Sequence, residues 1–330
     1  IADAMEKSDD SPKLISKALA GVPVAERFPH PDPWWSWKNG IKAYEMMSCY
    51  QGLIELYRVT GNAQYLQAAE AAALNIIEDE INVAGSGAAF ECWYHGRRFE
   101  TEPAYHMMET CVTTTWMRLC ETLLRLTGKA IYADQLEKTL YNAYMATLAK
   151  DCSTFSKYCP LGGTRGRGED QCGMKINCCV ANGPRGFVAL LESVLMAEEN
   201  AVMVNIYHAS KASVVVPGRQ LRVTIEQEGD FPKGNRIKLS VAPEKESEFA
   251  LKLRIPAWSA RTTVALNGQD IGGVTAGSYL EVKRTWKSGD IVEIAFDFTG
   301  RVESKNEHFA LFRGPLVLAR DMRFGDGYVD

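Results

Sequence analysis

No run of apolar residues in this 330-residue chain approaches the roughly 18 to 20 needed to cross a bilayer, so a membrane-spanning helix is not expected. The first residues, Ile1-Ala2-Asp3-Ala4-Met5-Glu6-Lys7, carry no apolar core of the signal-peptide kind. A large charge of one sign is also missing. The formal net charge is -4, which offers no broad attraction to a polyanion, so neither nucleic acid nor an anionic membrane is expected as a partner. A neutral or weakly charged ligand suits the chain better. It reads as a soluble globular protein, periplasmic or cytoplasmic, and a homo-oligomer is compatible with it. The nine cysteines (Cys49, Cys92, Cys111, Cys120, Cys152, Cys159, Cys172, Cys178 and Cys179) are odd in number, which excludes a complete disulfide framework, and no C-x-x-C pair occurs. Reduced thiols or metal thiolates are expected instead, above all because two cysteines are adjacent.

With 46% hydrophobic and 24% charged residues, the chain can bury one large core or two ordinary ones. Before about residue 200 the apolar spacing is helical, with expected helices near 11–20, 41–59, 63–79, 113–127, 130–149 and 184–198. An internal repeat runs through them: Arg58-Val59-Thr60-Gly61-Asn62-Ala63-Gln64-Tyr65 returns as Arg125-Leu126-Thr127-Gly128-Lys129-Ala130-Ile131-Tyr132, and the same offset superimposes Glu70 on Glu137 and Asn75 on Asn142. Each copy reads as a helical hairpin whose Thr-Gly stop lets the glycine take the left-handed conformation. Six such hairpins close into an (α/α)6 toroid, and the six helices seen here are about half of what that ring needs. From Val202 onward the period changes to two, in segments such as 221–225, 249–255 and 294–298, with turn signals at Asn267-Gly268 and Lys287-Ser288-Gly289-Asp290. The expected architecture is therefore α + β and multidomain: a helical toroid, short of helices at its amino-terminal side, over residues 1–199, and an antiparallel β-sandwich over 200–330.

Chemistry concentrates in Glu109-Thr110-Cys111 and Asn177-Cys178-Cys179, each just ahead of an expected helix. Residues two apart on a helix point about 200° from each other, so Glu109 and Cys111 can share a ligand only if the chain there is extended and the helix begins near Thr113. Asn182 and Pro184 suit the cap and first turn of the following helix, which leaves Cys178 and Cys179 ahead of it. Two helix amino termini then point at the thiols and favour thiolates. Three cysteines and a carboxylate make a tetrahedral zinc set, of formal charge -2, with Arg185 near enough in sequence to offset it; small buried cysteines and a solvated Glu109 are the competing reading.

Those two segments, with Leu253-Arg254-Ile255-Pro256-Ala257-Trp258 and Arg313-Gly314-Pro315-Leu316-Val317, resemble the signatures of glycoside hydrolase family 127, in the expected order from about Lys42 to Arg320. The resemblance implies an (α/α)6 catalytic domain followed by β-sandwich modules, Zn2+ held by Glu109, Cys111, Cys178 and Cys179, and Cys178 as nucleophile. It further implies a retaining exo-glycosidase whose carbohydrate substrate ends in β-L-arabinofuranose or a related sugar of plant glycans. The proton donor is expected shortly before the zinc-ligand Glu. Glu91 in Phe90-Glu91-Cys92-Trp93 is the best match, although the family's Gly-Glu-x-Phe pattern is not reproduced and Glu100 and Glu102 compete for the role.

His95 and His106 are candidates for sugar hydroxyls, against structural roles, and Tyr158 falls where the family has an aromatic-rich pocket segment, against core packing. Trp34, Trp35 and Trp37 are candidates for stacking on sugar rings, against packing at the toroid rim. A Gly-His-Ala stretch at the start of the helix in some members reads Ile41-Lys42-Ala43-Tyr44-Glu45 here, a departure that bears on which sugar is taken. Two other functions compete: a sugar-binding or degenerate scaffold with structural zinc, and a six-hairpin lyase or unsaturated-uronide hydrolase, for which three cysteines at two helix starts have no purpose. The shortage of helices leads to the expectation that this chain is an amino-terminally shortened form of a longer enzyme.

Overall fold

The computed structural model describes residues 6–7, 13–27, 40–96, 98–101, 106–171, 173, 176–305 and 307–320. The architecture is α + β, and the chain divides into a helical unit, Ile1–Met196, and a sheet unit, Ala197–Asp330. None of the described helices is long and apolar enough to cross a membrane. Trp34, Trp35, Trp37, Glu102 and Cys172 lie outside the described residues.

The helical unit contains α1 (Leu14–Leu19), α2 (Ala43–Thr60), α3 (Ala63–Asp79), α4 (Thr110–Thr127), α5 (Ala130–Thr139), α6 (Cys178–Asn182) and α7 (Arg185–Val194). Both copies of the repeat fold alike. Gly61 (φ 71°) and Gly128 (φ 64°) turn the chain in the left-handed region, each giving its N–H to the carbonyl four residues back, Tyr57 and Leu124. The first hairpin grips the turn of the second: Glu70 on α3 accepts from Lys129 Nζ at 2.5 Å and from the Tyr132 hydroxyl at 3.3 Å. The repeat-related residues take different partners. Asn75 accepts from the Val24 amide at 2.7 Å, whereas Asn142 donates to the Lys138 carbonyl at 2.8 Å.

Helix α4 is the centre of this unit, packed against α2, α5 and α7 and buried along almost its whole length. Its Thr113 and Thr114 would leave polar hydroxyls in that core, but each bonds a carbonyl four residues back, Glu109 and Thr110, and Thr113 also meets Ser86 Oγ at 2.7 Å. Two helices end earlier than the apolar spacing suggests. α5 passes into a π-helical turn, Leu140–Tyr144, and a last turn, Met145–Thr147, where Tyr144 donates to the Gly183 carbonyl at 2.7 Å. α7 stops at Val194, because Leu195–Glu198, although rich in helix formers, joins a sheet beside Ala201–Val204.

Strands β1 (Leu195–Glu198), β2 (Ala201–Val204), β6 (Ser247–Ile255) and β9 (Ser278–Trp286) form a four-stranded sheet. Six more make a second sheet in the order β3 (Ser210–Val216), β4 (Leu221–Glu228), β5 (Arg236–Pro243), β10 (Asp290–Ala295), β7 (Thr263–Leu266), β8 (Gln269–Ile271). A third holds β11 (Arg301–Lys305), β12 (His308–Arg313) and β13 (Leu316–Leu318). Among β2 to β13 the pairing is antiparallel except for β2 with β6, which run parallel, since the intervening β3–β5 act as the crossover that a parallel pair requires. Period-two burial is plain in β4, where Leu221, Val223, Ile225 and Gln227 point inward. In the segment 253–258, Arg254 is fully buried, gives Nε to the Asn205 carbonyl at 2.5 Å and lies over the Tyr207 ring, while Trp258 packs with Phe231, Phe296 and Phe298. That motif is a structural clasp of the sheet unit.

At the end of α3, Glu80 is fully buried and accepts backbone N–H bonds from Tyr94 at 2.5 Å and Gly96 at 2.9 Å, tying down the loop after residue 90. Burial pushes its carboxyl up to about 8, against the pull of those two amides. A carboxyl raised in the folded state keeps its proton longer than in the unfolded chain, so the stability tied to it falls as pH rises from about 4.5 to about 8. Between about pH 5 and about pH 8.5, the wild type is expected to lose roughly 1–3 kcal/mol more unfolding free energy than Glu80→Gln. Urea unfolding of both proteins at the two pH values tests this, and equal losses would assign the titration to another group.

Candidate metal centre

Two capped helix starts bring the thiols and the carboxylate together. Helix α4 begins at Thr110, not near Thr113, and Glu109 is its non-helical cap residue with ψ 133°. That single break turns the Glu109 side chain away from the direction a helical residue would take, so Cys111 can occupy the first turn and still share a site with it. Two bonds to the neighbouring loop fix the start: the Thr110 amide to the Lys157 carbonyl at 3.0 Å, and its hydroxyl to the Ser156 carbonyl at 2.6 Å. The second start, of α6, is capped by Asn177; the following helix α7, for which Asn182 was the expected cap, has Pro184 at that position and no side-chain cap bond. Asn177 Oδ1 accepts from the amides of Cys179 and Val180 at 3.1 and 3.3 Å, its Nδ2 holds the Arg167 carbonyl at 2.8 Å, and Cys178 is the first residue of the short helix α6. Asn182 ends that helix and accepts from Arg185 Nη1 at 2.7 Å.

The four ligand atoms of Glu109, Cys111, Cys178 and Cys179 all lie within 4.8 Å of one another. Cys179 Sγ donates to Glu109 Oε1 at 3.2 Å and lies 3.4 Å from Cys111 Sγ, and Cys178 Sγ is 3.8 Å from the same carboxylate oxygen. Three of the four residues are buried; Cys178 alone is exposed. Hydrogen bonds from the Cys111 and Cys179 thiols pull Cys178 far below the ordinary thiol range, and the Lys157 charge adds to this. Cys111 is pushed up first by its interaction with Cys178, Cys179 first by its bond with Cys111 and then by Cys178, and burial, followed by the Glu91 charge, lifts Glu109 to about 8. The group can hold a metal ion, and its chemistry fits one: three soft sulfurs and one oxygen are a tetrahedral donor set, and a dication would neutralise half of the charge that the four ionised groups carry.

The cluster opens onto a cavity of about 460 Å³ lined by Tyr44, Glu45, Glu91, Glu109, Cys111, Cys178, Ala181, Asn182 and Arg185. Glu91 therefore shares the cavity with Cys178, carried there by a turn in which Ala88, Phe90 and Glu91 all have positive φ (71°, 50° and 66°). Its carboxylate pairs with Lys42 Nζ at 3.1 Å. Glu100, the described competitor, is buried and outside the lining. His95, His106 and Tyr158 are also outside it: His106 lies against Tyr158 (ring centroids 4.4 Å) and edge-on to Phe90 (4.6 Å), and His95 packs edge-on to Phe99. Sequence reasoning passed over Tyr44 and Glu45 in the first turn of α2. They stand in Ile41-Lys42-Ala43-Tyr44-Glu45, whose departure from the family's pattern was read only for its bearing on the sugar.

A thiol and a carboxylate facing one cavity, beside a group that could hold a metal ion and on paired helical hairpins, are the kinds of group that nucleophilic chemistry uses. The sequence matches the GH127 catalytic domain of β-L-arabinofuranosidase over residues 31–192 and the GH127 middle domain over residues 201–298, and the chain belongs to that family of glycoside hydrolases. It is 28% identical over 235 residues to a non-reducing end β-L-arabinofuranosidase of Bifidobacterium longum subsp. longum, a stretch covering 63% of this chain and 34% of that protein. Among solved structures it resembles a GH127 β-arabinofuranosidase (25% identity, TM-score 0.73, 92% of this chain and 51% of that one). It also resembles a GH127 β-L-arabinofuranosidase of Geobacillus stearothermophilus T6 (23% identity, TM-score 0.69, 84% and 46%). The chain thus spans about a third of the curated relative's length and about half that of the solved structures.

Purified protein is expected to bind one soft divalent ion per chain, and Cys111→Ala or Cys179→Ala to weaken binding on the order of 100-fold or more. Competition against a chromogenic chelator measures this. Unchanged affinity in both variants would remove these residues from the ligand set.

Proposed function

We propose that this protein is a zinc-dependent retaining exo-glycosidase in which Cys178 is the nucleophile and Glu91 the proton donor, releasing β-L-arabinofuranose or a related sugar from plant glycans. The observation that carries the reading is that the one exposed thiol of the cluster opens onto the same cavity as Glu91. Family membership supports the reaction type, and the family's names supply the sugar. In this reading the two hairpins belong to a six-hairpin ring and the sheets to β-sandwich modules.

Glu109, Cys111, Cys178 and Cys179 would hold Zn2+, which when bound would keep the thiols ionised at neutral pH without a dedicated base. Cys178 Sγ attacks the anomeric carbon, forming a C–S bond as the bond to the leaving oxygen breaks, and Glu91 delivers its proton to that oxygen. Glu91, now a carboxylate, takes a proton from water. The water oxygen then attacks the anomeric carbon, the C–S bond breaks, the thiolate is regenerated, and two inversions leave the configuration retained. Glu45, Tyr44 and Arg185 stand around the cavity as partners for sugar hydroxyls. His95, His106 and Tyr158 back the loops that carry Glu91 and Glu109.

The test is turnover of aryl β-L-arabinofuranosides, with pyranosides as controls. Cys178→Ser is expected to lower kcat by about 1,000-fold or more, and Glu91→Gln by about 100- to 10,000-fold on substrates with poor leaving groups. A serine variant within about tenfold of wild type would take the nucleophile role from Cys178. Glu45→Gln matching the loss expected of Glu91→Gln, with Glu91→Gln active, would move the acid to Glu45.

A further inference from the structure

We propose that Lys42 is the positioning residue of Glu91, clamping both the carboxylate and the strained turn that carries it; the inference rests on the reading of Glu91 as the proton donor. Three non-glycine residues in the left-handed region within four positions, Ala88, Phe90 and Glu91, form a turn that persists only where its surroundings hold it. Backbone bonds hold its two flanks. On one side the Ala43 amide donates to the Glu91 carbonyl at 2.8 Å and the Trp93 amide to the Ile41 carbonyl at 3.1 Å. On the other the Phe90 amide donates to the His106 carbonyl at 3.0 Å and the Met108 amide to the Ala88 carbonyl at 3.1 Å.

These bonds fix the backbone and leave the Glu91 side chain, with its three rotatable bonds, to be aimed by something else. Lys42 sits at the start of α2, next to the pinning amide of Ala43. Its Nζ donates to Glu91 Oε2 at 3.1 Å and to the Phe90 carbonyl at 3.2 Å. Both side chains are largely shielded, 18% and 24% exposed, so water and salt screen the pair less than a surface pair. The ammonium also draws the carboxylate toward α2, while Glu109 and Glu45 on the same cavity repel it. One cation thus ties the helix start, the turn and the reacting carboxyl into a single unit. A lysine used this way acts on the rate through the acid it aims, and not through the metal group.

The experiment compares Lys42→Met, Lys42→Gln and Lys42→Arg on two arabinofuranosides, one with an acidic phenol as leaving group, which departs without a proton, and one with an alkanol, which needs it. Lys42→Met is expected to lower kcat on the alkyl glycoside by about 10- to 100-fold with KM within about threefold, to change the activated substrate less than about threefold, and to keep its bound metal. Lys42→Arg, which can still pair with the carboxylate, is expected to recover most of the loss. Equal losses on both substrates, or none on either while Glu91→Gln shows the leaving-group split, would overturn the role of Lys42 alone. Glu91→Gln without that split would overturn the reading of Glu91 as well. Should Lys42→Met fold poorly, the crystal structure of Lys42→Gln decides independently of turnover: Glu91 is expected in more than one rotamer, and one unchanged rotamer would refute the clamp.

Discussion

Four groups that are anions when ionised meet within 4.8 Å, three of them buried, and this crowding of like charge governs the site. Two unit charges about 4 Å apart repel by roughly 4 kcal/mol at the effective dielectric of a protein surface, so protons or a cation must occupy the cluster. When protons do so, they settle unevenly. Glu109, Cys111 and Cys179 are all raised and Cys178 is lowered, its interactions with the Cys111 and Cys179 side chains being the largest causes. The negative charge is thereby left on Cys178, the exposed one of the two cysteines that line the cavity. The same asymmetry that makes the cluster tolerable is the physical ground for proposing Cys178 as the nucleophile.

That arrangement needs stiff supports, and the two carboxylates of the cavity are supported differently. Glu109 rides on the cap of α4, the most buried helix of its unit, whose hydroxyls are satisfied internally and whose start is bonded to the 156–157 loop. Glu91 sits on a turn of disfavoured dihedral angles, bonded to segments on both sides and to Lys42. A helix cap offers geometry that follows from local sequence. A strained turn exists only through tertiary contacts, and holding one is a reason to keep a charged residue, Lys42, largely out of water.

This difference explains what could be read in advance. The hairpins were legible because Gly61 and Gly128 announce themselves through a repeated local pattern, and the group that could hold a metal ion because cysteines at capped helix starts are a local signal joined to a family likeness. The start of α4 was misread on the premise that Glu109 and Cys111 need extended chain, when one non-helical residue at the cap suffices. Asn182 was taken for the cap of α7, a place that Pro184 fills; the cap of α6, Asn177, also holds the Arg167 carbonyl, a contact ten residues away that no local pattern encodes. Glu45 and Tyr44 were seen only as part of a stretch that departs from the family's pattern, since only the packed structure turns the first residues of α2 toward the thiols.

Buried charge alone would not have found the site. Glu80 and Arg254 are as buried as any ionisable residue described, yet each has its polar atoms on backbone partners, Tyr94 and Gly96 for one and Asn205 for the other, and neither lines the cavity. They fix loops and strands. Glu91 and Cys178 retain access to the cavity, and the groups around them leave a lone pair or a thiolate directed where a substrate can enter. What separates the two kinds of residue is whether the bonding capacity is consumed within the fold. By that criterion Lys42 belongs between them: its bonds run to Phe90 and Glu91, and one of those partners faces the cavity, so a structural contact is coupled to the cavity wall.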